Sequence, residues 1–136
     1  MRYMAIDYGL KRIGLAICDS GEIIVSPLCQ IENPSFNRQQ AIDNILTLLR
    51  EHTVEAIVVG MPINMDGTIG EQARICRNFG IKVSEQAGLP VHFQDERLSS
   101  KSADRLLAEG GFTRKGKKAR RDMLAACEIL KDFLGQ

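Results

Sequence analysis

The residues able to do chemistry here are carboxylates set at the ends of apolar segments, with cations close by. In "MAIDYGLKRIGLA", residues 4–16, an apolar segment runs onto Asp7, then Gly9, Lys11 and Arg12, before a second apolar segment begins. A tight turn needs only glycine and some polarity. An acid closing a would-be core strand, followed at once by two cations, suits a site for a charged ligand. "DERLSS" places Asp95 and Glu96 at another segment end, beside Arg97. In "RRDMLAACEILKDFL", Asp122, Ala126, Ile129 and Phe133 recur at helical spacing, so an acid heads an apolar stripe. With that helix starting near residue 120, its dipole would favour an anion in the first turn. The dipole does not explain why the acid lies on the stripe that must pack inward.

Carboxylates that converge repel one another unless protons or cations compensate them. Oxygen ligands without histidine or thiolate suit hard cations, Mg²⁺ or Mn²⁺. Two such ions about 4 Å apart can clamp a phosphodiester, activating a water on one side and stabilising the leaving oxygen on the other. The segment "TRKGKKARR" carries Arg114, Lys115, Lys117, Lys118, Arg120 and Arg121 around one glycine. Alone it reads as a solvated basic loop. Beside an acidic metal site, with Lys11, Arg12 and Arg97, it provides what a polyanion needs. No aromatic residue is interleaved with these cations, so recognition is expected to rest on phosphates and shape.

The elements that must position these groups follow from periodicity. Residues 2 to 7, 12 to 18 and 22 to 31 read as strands joined by the short turns "YGLK" and "DSGE", an antiparallel meander. Ala41, Ile42, Ile45, Leu46, Leu48 and Leu49 set a helix over 37–52. "EAIVVGM" is a buried-type strand. The Thr68–Glu71 capping-box pattern then predicts a helix to about residue 86, with Ala73, Cys76, Phe79 and Val83 on one face and Gly80 weakening it. "PVHFQ" forms a fifth strand, Ser99 or Ser100 opens a helix ending at Gly110–Gly111, and the last helix covers 120–134.

The order βββαβαβαα predicts an α/β mixed sheet with helices on both faces, the fourth and fifth strands running parallel to the first. Ligands gather beyond the carboxyl ends of such strands. Asp7, the loop after Gly60, and Asp95 with Glu96 meet at that edge, and a last helix laid across it would bring Asp122 there.

At 136 residues the chain is expected to be one domain, residues 1–136. A formal net charge of +1 exerts no global pull toward nucleic acid or membrane. No apolar run could span a bilayer and no signal-peptide layout opens the chain, which makes the cytoplasm the expected compartment. Cys18, Cys29, Cys76 and Cys127 are scattered in apolar contexts, against a disulfide framework or a zinc site. His52 and His92 have no serine or cysteine partner suggested by the sequence.

"AIDYGLKRIGLAICD", "VVGMPINMDGT", "DERLSS" and "DMLAACEIL", in this order and at these separations, resemble the YqgF family over nearly the whole chain. Its members have the ribonuclease H-like fold and are described as Holliday junction resolvases or as nucleases that mature pre-16S ribosomal RNA. The resemblance implies a divalent-metal-dependent nuclease acting on nucleic acid, in pre-rRNA or branched DNA, with ribosomal precursor particles as partners. Carried over by position, Asp7, Glu96 and Asp122 match the family's metal-binding acids. Adjacent strand residues point to opposite faces, and it is this match that selects Glu96 over Asp95. It gives Asn64, Asp66, Gly67 and Thr68 a substrate or loop-shaping role. Arg121, where an uncharged residue is more usual, is a local departure bearing on substrate preference.

Two other classes compete. Asp7, Gly9 and Gly14 satisfy the D-x-G-x-x-x-x-G hairpin of actin-like and sugar-kinase-like phosphotransferases. Those enzymes hold nucleotide between two lobes, and one short domain cannot supply both. A catalytically silent nucleic-acid-binding factor would use the same cations without needing the acids. Nothing in the sequence announces an oligomer.

Overall fold

A computed structural model describes residues 1–96 and 114–136, with side chains for 1–96 and 124–136. Its elements are β1 (Tyr3–Tyr8), β2 (Arg12–Cys18), β3 (Val25–Glu32), α1 (Arg38–Glu51), β4 (Ala56–Met61), α2 (Glu71–Ala87), β5 (Val91–Asp95) and α3 (Arg114–Leu134). The five strands form one sheet in the order β3-β2-β1-β4-β5. The pairs β1–β2 and β2–β3 are antiparallel, whereas β1–β4 and β4–β5 are parallel. This is the mixed sheet expected from the order of elements. The helix expected between Ser99 or Ser100 and Gly110–Gly111 lies outside the described residues.

Strand alternation divides the core in two. Met4, Ile6, Ile13, Leu15, Ile57 and Val59 pack with Ala41, Ile42 and Ile45 of α1 and Ala73, Cys76, Phe79 and Val83 of α2. Ala5, Ala16, Cys18 and Val58 point the other way and pack with Ala126, Cys127, Ile129 and Leu130 of α3. Helices therefore cover both faces. β1 and β4 carry unbroken apolar runs because each face of the central strands is buried. The small residues on the α3 face let that helix approach closely. On the other face Gly80 of α2 does the same: a Cβ there would lie 2.9 Å from Val59 Cγ2 and 3.0 Å from Phe93 Cε1. The glycine that weakened the helical pattern is a packing requirement.

Three boundaries differ from the sequence reading. β3 begins at Val25 rather than residue 22, because the Asp19 carboxylate accepts from the backbone N–H of Ile23 and Ile24 and Glu22 takes a positive φ of 59°. These bonds keep the chain in a turn and hold the Asp19 carboxyl below its ordinary pKa. The capping box does not form. α2 starts after Gly70, which makes no side-chain cap bond, while Thr68 is engaged in the preceding loop. The last helix begins at Arg114, not at residue 120, so the basic segment is helical and not a loop.

The late start of α3 changes the standing of Asp122. It is the ninth residue of the helix rather than a first-turn residue, and the dipole effect fades within the first turn. By helical register Asp122 shares the stripe of Ala126 and Ile129, both fully buried against the sheet.

Candidate active site

Asp7 and Glu96 both lie at the carboxyl edge of β1, β4 and β5. Asp7 pairs with Gly14 of β2, and one residue beyond the Ile6–Val59 pair its neighbour along β4 is Gly60. Gly60 in turn pairs with Gln94 of β5. Asp7 is thus flanked on both sides by glycines, and alternation puts it on the α3 side with Ala5.

Glu96 follows β5, tied by its backbone N–H to the carbonyl of Met61 at 3.1 Å. Its carboxylate folds down onto Gly60: a Cβ at that glycine would lie 2.6 Å from Oε2 of Glu96 and 2.5 Å from Cδ1 of Ile129. Only glycine leaves room for the acid and the helix together. The sequence reading brought Gly60 to this edge without a reason for its being glycine; a glycine inside a strand is a recognised sign of close approach.

Burial, and then the negative charges of Asp7 and Asp95, push the Glu96 carboxyl up to about 8. In the absence of a cation it is mostly protonated at neutral pH. The same charges reach through the sheet. The buried Cys76 thiol of α2 is pushed up to about 12 by desolvation, with Glu96 and Asp7 adding to it. A thiol so raised is inert as a nucleophile. All four cysteines are free, three of them buried and Cys29 partly so. His92 packs its ring against Tyr3 and Phe133, and His52 is the C-cap of α1.

The remaining predicted site residues fall into distinct places. Lys11 is exposed in the β1–β2 turn and Arg12 opens β2 opposite Glu32. Gly9 makes that turn possible, since a Cβ there would strike the Arg12 carbonyl oxygen. Asn64, also exposed, shapes its own loop: its backbone N–H donates to the Thr68 carbonyl, and its Nδ2 donates to Thr68 Oγ1 at 3.0 Å. Thr68 donates through its N–H and hydroxyl to Asp66 Oδ1, and Gly67 turns the chain with φ of 89°. Of the two roles open to this motif, loop shaping is the one these bonds perform. Arg97 lies outside the described residues. Arg114, Lys115, Lys117, Lys118 and Asp122 are backbone positions of α3 whose side chains lie outside them as well.

The fold is ribonuclease H-like, that of the Holliday junction resolvases. Thermus thermophilus RuvC in complex with Holliday junction substrate matches with a TM-score of 0.61, at 17% identity, over 99% of this chain and 97% of that one. The fowlpox virus Holliday junction resolvase matches with the same TM-score of 0.61, at 11% identity, over 99% and 98%. At the level of sequence, the family model described as "RuvX: Holliday junction resolvase" matches residues 1–136. A Roseiflexus protein named "Putative pre-16S rRNA nuclease" is 39% identical over 133 residues, covering 98% of this chain and 93% of its own. One of the same name from Lachnospira eligens is 38% identical over 135 residues, covering 98% and 96%. The chain belongs to the RuvX family, the YqgF family that its motifs resemble.

Proposed function

We propose that the protein is a divalent-metal-dependent nuclease that hydrolyses phosphodiester bonds in structured nucleic acid. Pre-16S ribosomal RNA is the favoured substrate and branched DNA the second. The observation that carries this reading is the Glu96 carboxyl, buried on Gly60 beside Asp7 and raised to about 8. Two half-buried acids held together form a poor apo arrangement and a good cation receptor. Among the described residues no group of three metal-binding side chains assembles. The proposed third ligand is Asp122, on the helical stripe that crosses this edge. The carboxylate-only set fits Mg²⁺ or Mn²⁺.

In this proposal Asp7, Glu96 and Asp122 hold the cation. When bound, it supplies charge stabilisation of the phosphate and a lowered pKa for the attacking water. Glu96 gives up its proton as the site fills. Lys11, Arg12, Arg97, Arg114, Lys115, Lys117 and Lys118 draw in and orient the phosphate backbone, while Asn64 holds the loop beside them. The relatives' names favour RNA, and precursor particles of the small ribosomal subunit are the proposed setting.

Two nucleic acids decide it. Purified protein with Mn²⁺ should cut an RNA spanning a 16S precursor end, EDTA should stop the reaction, and Asp7→Asn and Asp122→Asn should abolish it with the fold intact. Faster cutting of a four-way DNA junction than of the RNA would favour the second substrate. Binding of either without cleavage would make the protein a silent binding factor.

A further inference from the structure

Among the described residues the most exposed large apolar side chain is Phe36. Phe36 is 89% exposed and Leu10 51%, and both stand at the carboxyl edge of β1, where the acids lie. Phe36 belongs to the connection from β3 to α1, Leu10 to the β1–β2 turn. These two segments are fastened together. Arg38 Nη1 donates to the carbonyls of both Leu10 and Asn33 at 2.6 Å. Buried Asn33 donates through Nδ2 to the Gly9 carbonyl at 2.8 Å, and its backbone N–H donates to the Lys11 carbonyl at 2.8 Å. The N–H of Asn37 donates to the Pro34 carbonyl, and the Asn37 side chain caps α1 through the N–H of Gln40. Phe36 is thus an aromatic ring in water on a turn flanked by these bonds, three residues after the Asn33 that donates to the carbonyl of exposed Lys11.

We propose that Phe36 is a base-stacking platform that receives an unpaired nucleotide of the substrate while Lys11 meets its phosphate. A lone exposed apolar residue on a mobile loop would mean little. Here the backbone that carries the ring is held by bonds on both sides of it, so binding has less chain freedom to remove. Its flat face offers what every base can use, without reading sequence. Two strand spacings and a few residue rises put it on the order of 15 Å from Asp7, a few nucleotides from the point of cleavage. Tertiary structure bonds the segment that carries this ring to the turn that carries Lys11. The proposal rests on the nuclease reading and adds a substrate class to it: a duplex or branched substrate with unpaired nucleotides beside the cut.

The chain contains no tryptophan, so Phe36→Trp introduces a single tryptophan, excited selectively over the tyrosines, at the platform. It is titrated in EDTA with an RNA hairpin bearing a short unpaired tail and with the same hairpin blunt-ended. Stacking quenches the tryptophan with the tailed hairpin and not with the blunt one. Phe36→Ala and Phe36→Leu both lose about tenfold or more in affinity for the tailed RNA and keep wild-type affinity for the blunt one. Leucine keeps the apolar bulk, so a loss with alanine alone, an equal loss on both RNAs, or no loss overturns the proposal. No loss would leave Phe36 as a contact for a protein partner. Wild-type cleavage in Mn²⁺ is run alongside. Cleavage that persists while the variants fail to discriminate refutes only the platform, whereas a wild type that neither binds nor cuts refutes the nuclease reading with it.

Discussion

Glu96→Gln should make the metal-free protein more stable, by an amount that grows with pH. Glutamine keeps the shape that fits over Gly60 and removes the charge. In the unfolded chain Glu96 releases its proton near 4.5, while in the folded protein it holds it until about 8. Between those values the unfolded state binds fewer protons, so stability falls as pH rises. At pH 5 the penalty is under about 1 kcal/mol, because that pH lies only just above the value at which the unfolded chain releases the proton. At pH 7 it reaches roughly 3 kcal/mol, and by pH 9 nearly the whole difference between 4.5 and about 8 is expressed, roughly 5 kcal/mol. Urea denaturation of wild type and variant in EDTA at these three pH values measures it directly. The gap between them should open from small to several kcal/mol. A gap that does not change with pH, or a variant less stable at pH 9, would refute the claim that Glu96 is buried beside like charge.

Divalent-ion binding should release close to one proton at pH 7, since the ion must displace the Glu96 proton. Calorimetry in buffers of different ionisation enthalpy counts it, and a value near zero would mean that Glu96 is not a ligand. Gly60→Ala places a Cβ against the Glu96 carboxylate and Ile129; it should cost about 1–3 kcal/mol in stability and most of the metal affinity, read by chemical denaturation and by Mn²⁺ titration. Lys117→Ala with Lys118→Ala should lower nucleic-acid affinity and reduce the slope of log K against log salt by about 2. An unchanged slope would show that these lysines do not meet phosphates.

Much of the architecture was legible from local pattern. The apolar runs in "YMAIDY" and "AIVVGM", the helical spacing of Ala41, Ile42 and Ile45, and the short turns between the first strands all follow from backbone geometry, which repeats along the chain. Asp7 could be put on a sheet edge for the same reason. Boundaries were less legible where side chains bond out of pattern. Asp19 delays β3 by holding Ile23 and Ile24, and Thr68 bonds to Asp66 instead of capping α2.

By itself, then, the sequence determined the order of the strands, the stripe that carries Asp122, and the motifs that place the chain in its family. The tertiary structure decided what depends on desolvation and on residues far apart in the chain. It laid Glu96 against Gly60 and Ile129, so that its proton is held to about 8. It began α3 early enough to take Asp122 out of the first turn, and it bonded the segment that carries Phe36 to the turn that carries Lys11. Periodicity is a property of neighbours along the chain. Burial and like-charge crowding exist only once the strands and helices have closed on one another.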